Sequence, residues 1–170
     1  MKVTGYQLKE AIKMKALELA TIQSQFNDSL HRFEDEEKRS PIDIVDDLRR
    51  LENHLVELQT AQDFFNLGVQ CEVNGEPISL SQAIKAVGGA GRIAKMWRTA
   101  AQGEKSDRWE RARNLTRNKE DESAMPTISK EEALNESRKS ERFAAQLRNA
   151  IAVGNSKSLE ISWLTDEMFE

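Results

Sequence analysis

Cysteine occurs once in this chain of 170 residues, histidine twice and proline three times. A lone Cys71 excludes an internal disulfide. His31 and His54 have neither the i, i+4 spacing nor a Cys-x-x-Cys partner that a local zinc site needs, and both are expected on solvated helix faces. No Gly-x-Ser-x-Gly occurs and no histidine follows Cys71, so no nucleophilic constellation is legible and the chain is expected not to be an enzyme. Three prolines and eight glycines leave few breaks for a many-stranded fold. No window approaches the roughly 18 apolar residues of a membrane span, and Met1–Glu10 has no continuous apolar run resembling a secretory signal. These absences predict a cytoplasmic protein with no membrane partner, and nothing in the pattern calls for a cofactor or a metal.

What the chain does have is helical periodicity. Leu8, Ile12, Leu19, Ile22, Phe26 and Phe33 keep a 4-and-3 rhythm, interrupted by Lys15. After the acidic link Glu34–Ser40 the rhythm resumes at Ile44, Leu48, Leu51, Leu55, Leu58, Gln62 and Phe65. Such spacing places apolar side chains along one side of a helix. The fold class expected is mainly α: a long antiparallel αα-hairpin, coiled-coil-like, with two further helices and a short β-hairpin. The first helix, capped by Thr4 and running to about Phe33, would be about 45 Å long. Ser40-Pro41 restarts the chain as a helix, with Asp43 at the capping-box position, and Gly68 offers a left-handed stop.

The chain reads as one helical domain over 1–170: the αα-hairpin at 1–68, then a β-hairpin at 69–80. Its signal is the alternation Val69–Val73 followed by Asn74-Gly75, which accepts positive φ at both turn positions. Next come a glycine-interrupted helix at 81–102 capped by Ser79 or Ser81, a charged arm at 103–127, a helix at 128–154 opened by Ser129 and Glu132, and a tail at 155–170 in which Leu159–Trp163 alternates like a strand or docking segment. Three glycines in Gly88-Gly89-Ala90-Gly91 destabilise a helix by roughly 1 kcal/mol each, so the third helix should kink or split there.

Charge is segregated. Nine basic against three acidic side chains between Arg92 and Lys119 give a surplus of six; with a net charge of −4 overall, the remainder stands at −10. If Gly88–Gly91 opens a helix, its bare N–H groups can hold an anion, with Arg92, Lys95 and Arg98 within two turns. The competing reading is that small residues let two helices approach closely. Trp97 beside Arg98, and Trp109 between Arg108 and Arg111, put flat rings among guanidinium groups, the ingredients of a nucleotide pocket. Local pairing of a solvated arm accounts for them equally well. The candidate ligand-binding set is thus Arg92, Lys95, Trp97, Arg98, Arg108, Trp109 and Arg111.

The paired helices, Asn66, the Gly75-x-x-Ile78-Ser79-Leu80-x-x-Ala83-Ile84 segment and Leu147-Arg148-x-Ala150-Ile151-x-x-x-Asn155 together resemble a family of small bacterial and phage helical proteins, sometimes labelled septicolysin-like. The chain departs from that pattern at Gly88–Gly91 and in the tail. The resemblance implies a helical, multimeric protein and carries no catalytic residues. Ala11, Met14, Leu17 and Ala20, apolar side chains off the hairpin seam, would leave an exposed patch that self-association covers; the competing reading is that helices three and four wrap around the hairpin within one chain.

Three functions are compatible with the residues. One is an oligomer that sequesters a small phosphorylated, nucleotide-like ligand between subunits, as phage anti-defence sponges do, acting in the host cytoplasm if phage-encoded. Another is an assembly protein that uses its stripes only for subunit contacts. The last binds nucleic acid through 92–119, a reading that the acidic balance of the chain disfavours.

Overall fold

Thr4 starts the first helix by reciprocal capping: Gln7 N–H donates to its hydroxyl at 3.2 Å, and Gln7 Oε1 accepts from the Thr4 backbone N–H at 2.9 Å. The computed structural model in which this cap occurs describes residues 1–31, 33, 36–102 and 127–169. Its elements in chain order are β1 (Lys2–Thr4), α1 (Gly5–Ser29), α2 (Pro41–Gly68), β2 (Gln70–Val73), β3 (Glu76–Ser79), α3 (Leu80–Gln102), α4 (Lys130–Ser156), β4 (Ser158–Glu160) and a 3-10 turn, Asp166–Phe169. The fold is mainly α. Two compact units make it up, Met1–Gln82 with Ala150–Glu170, and Ala83–Asn149.

In the first unit α1 and α2 form the antiparallel hairpin. A Cβ on Gly5 would lie 2.8 Å from the Phe65 ring, and Ser29 shares a cavity wall with Ile44, so the start of each helix faces the end of the other. Leu8, Ile44, Leu51, Leu55, Leu58 and Phe65 are buried, as the 4-and-3 rhythm requires. Burying each such side chain contributes about 1.5–3 kcal/mol relative to leaving it in water. The rhythm overreaches at one end. Helix α1 stops at Ser29, about 37 Å from its start, and Phe33 is 83% exposed outside it. Lys38 explains the early stop: its ammonium donates to the carbonyls of Asp28 and His31, both at 2.9 Å, and so neutralises the negative end of α1.

Ser40 caps α2 by accepting from Ile42 N–H, with Pro41 in the first turn. The expected left-handed stop at Gly68 does not occur. The residues with positive φ are Asn74 and Gly75 among those described, and Val69 closes the helix by donating to Phe65 O at 2.9 Å. Gly68 is small for another reason, since a Cβ there would come 3.2 Å from Leu159. Asn74-Gly75 turns the β2–β3 hairpin, with Val73 opposite Glu76. The tail returns as β4, antiparallel to β1, with Val3 opposite Leu159. Ile161, Leu164 and Met168 beyond it are buried.

The second unit is built from α3 and α4. Ser79 rather than Ser81 caps α3, by the same reciprocal bonding with Gln82 that Thr4 makes with Gln7. Helix α3 then runs continuously through Gly88–Gly91 and is not split into two there, although glycine propensity argues for an interruption. Tertiary burial of Ala83, Ala90, Ala94 and Ala101 along one face offsets that propensity. Ser129 and Glu132 cap α4, which buries Ala133, Ser137, Ala144 and Leu147.

Candidate functional site

An unbroken α3 changes what the glycines can do. Backbone N–H groups at 88–91 lie in the interior of the helix, where they bond to preceding carbonyls, and the N-terminus is at Leu80 instead, capped by Ser79 and with Leu80 N–H donating to Val69 O at 2.8 Å. The anion-cradle reading of Gly88–Gly91 therefore has no exposed donors to rest on. Close helix packing fares no better among the described residues. A Cβ on Gly88 or Gly89 would meet only the Arg92 guanidinium, at 3.7 and 4.0 Å, and one on Gly91 would meet nothing within 4 Å.

Helix geometry then sorts the basic residues. At about 100° per residue, Lys95 and Arg98 share one flank of α3, whereas Trp97 points about 160° away from Lys95. Lys95 and Arg98 line a cavity of about 540 Å³ between α3 and α4, together with Gly91, Thr99 and Gln102 and, from α4, Glu141, Ala144 and Arg148. Neither Arg92 nor Trp97 belongs to that lining. Arg92 is exposed and lies back along the glycines, and Trp97 is half-buried. Arg108, Trp109 and Arg111 lie outside the described residues, as does nearly all of the charged arm expected at 103–127.

Among the described residues one ion pair crosses the cavity. Arg98 Nε donates to Glu141 Oε1 at 3.0 Å, its Nη2 donates to the same oxygen, and Ser137 Oγ donates there from 3.3 Å. Ser137 is 3% exposed, a buried hydroxyl satisfied by that carboxylate. The hydrogen bond from Arg98 holds the Glu141 carboxyl below its ordinary pKa, aided by the Arg98 charge and by Ser137 and opposed by desolvation. Glu141 therefore stays ionised at neutral pH. Among the described residues three cations, Lys95, Arg98 and Arg148, face one carboxylate, a surplus of two positive charges.

Arg148 and Glu141 escaped selection as site residues from sequence. Both sit in a charge-dense helix where Arg and Glu recur at many positions, and only the α3 partner singles them out. Their separation of seven residues, with Ala144 between, is the one signal available: two turns of one helix flank.

Elsewhere, Cys71 is buried in β2, and desolvation raises its thiol pKa against the nearby Lys157 charge. Asp47 bridges Arg39, at 2.6 Å, and Arg50 on the hairpin, and the Arg39 bond lowers its pKa. Among the described residues no group of three His, Cys, Asp or Glu side chains is placed to hold a metal ion, and no helix is long and apolar enough to cross a membrane.

The molecule is thus a mainly helical protein whose second unit carries a cationic cleft. Its backbone is similar to a solved structure described as a functionally unknown conserved protein from Corynebacterium diphtheriae, with a TM-score of 0.63 and 12% identity over 94% of this chain and 100% of that one. At that identity the likeness is one of fold. No protein-family model matches the chain, and no curated protein matches it.

Proposed function

We propose that this protein binds and sequesters a small phosphate-bearing ligand in the cleft between α3 and α4. The observation that carries the proposal is the convergence of Lys95, Arg98 and Arg148 on one cavity of about 540 Å³. A volume of that order suits a nucleotide-sized molecule. Arginine offers planar paired donors to phosphate oxygens, and lysine supplies a compact charge beside them. Trp97 leaves the proposed site, so recognition rests on charge and helix-flank geometry rather than on a stacked indole.

Calorimetric titration against cyclic di- and trinucleotides, ADP-ribose, nucleoside phosphates and pyrophosphate tests this. Lys95→Ala and Arg148→Ala should each weaken binding by about tenfold or more, the size of one charge-assisted hydrogen bond. No heat from the wild-type protein with any of these compounds would remove the proposal.

Self-association is a second, compatible proposal, and it agrees with what the septicolysin-like resemblance implies. Ala11 is buried, but Met14 and Leu17 on α1 are each 57% exposed. They border a cavity of about 320 Å³ with Met168 and Phe169.

A further inference from the structure

The Arg98–Glu141 pair poses a question that folding alone does not answer. Its side chains are 59% and 41% exposed, and ion pairs so open to water contribute little to stability. Yet Glu141 is fixed on two sides, by Arg98 across the cleft and by the buried Ser137 beneath it. A carboxylate held this way occupies the donors that an incoming anion would use.

Resting on the proposed phosphate site, we infer that Glu141 is a built-in competitor for Arg98 that tunes the cleft to ligands carrying two linked phosphate groups. The charge balance supports the inference. With Glu141 in place the described residues of the cleft carry a surplus of two positive charges, supplied in effect by Lys95 and Arg148. One phosphate group carries about −1.5 to −2 at neutral pH, so it saturates that surplus without Arg98. A second linked phosphate exceeds it and can be neutralised only by taking Arg98 from Glu141. The carboxylate then releases Arg98 and keeps its bond to the buried Ser137 hydroxyl, while the planar guanidinium exchanges one oxyanion for another of like geometry.

The test is calorimetry of the full chain with inorganic phosphate and pyrophosphate at fixed ionic strength, comparing wild type, Glu141→Gln and Arg98→Gln. Pyrophosphate should bind wild type more tightly than phosphate does. Glu141→Gln should raise pyrophosphate affinity by about tenfold and phosphate affinity by less than about threefold, the residue of a screened, diffuse charge effect. Arg98→Gln should erase the pyrophosphate advantage. Equal gains for both ligands in Glu141→Gln, or no gain, would overturn the inference while leaving the phosphate site standing. Silence from all three proteins with both ligands would sink the site and the inference together.

Discussion

At Gly154 a methyl group would sit 2.6 Å from the Cys71 sulfur and 3.0 Å from Leu80 Cδ1, a distance that a packed interior does not absorb without movement. Gly5 is as constrained, between Phe65 and the Asn155 side chain. Gly91, by contrast, is a helix-interior glycine with open space at its Cβ position among the described residues. Alanine should therefore act with opposite sign at these sites. Gly154→Ala is expected to cost about 1–3 kcal/mol by overpacking, whereas Gly91→Ala should add up to about 1 kcal/mol through helix propensity. Urea denaturation midpoints measure both. A destabilising Gly91→Ala would reveal something seated against that flank of α3.

Capping ties element boundaries to pH as well as to sequence. The backbone hydrogen bond from Ser129 holds Glu132 below its ordinary pKa of 4.5, with the Ser129 hydroxyl adding to it and desolvation opposing. A depressed carboxylate stabilises the fold in full above its unfolded value and loses that contribution as pH falls through the folded one. The α4 start should thus weaken below pH 4.5. In Glu132→Gln the denaturation midpoint should fall less steeply across that range than in wild type; parallel curves would contradict the cap's role.

The start signals Thr4, Ser40 and Ser129 were legible in the sequence, and Ser79 as one of two with Ser81, because a cap is a local event decided by two or three residues. So were the α1–α2 seam and the Asn74-Gly75 turn. The end of α1 was not, because Lys38 reaches back to Asp28 and His31 from beyond the link. Strand β1 was not either, since three residues give no period and its partner lies at the far end of the chain. The cleft was half legible. Lys95 and Arg98 announced themselves as neighbours of a basic run, but Glu141 and Arg148 gain meaning only once α4 lies beside α3.

At the scale of the whole molecule, the exposed Met14 and Leu17 lead to a prediction about assembly. Sedimentation velocity at micromolar concentration should find species heavier than the 19.3 kDa chain, and Met14→Asp with Leu17→Asp should return it to that mass without unfolding it. A 19.3 kDa wild-type particle under those conditions would end the proposal of self-association.

The β1–β4 ladder has a kinetic meaning. Lys2 and Glu160 face each other although helices α1 to α4 all lie between them in sequence, so this two-stranded clasp encloses a very large ring of chain. Closing such a ring is entropically slow, and six paired residues cannot compensate for it before the intervening helices have condensed. The clasp is therefore a latecomer in folding, and Lys2–Thr4 has no strand to pair with until Ser158–Glu160 has been synthesised and brought back to it.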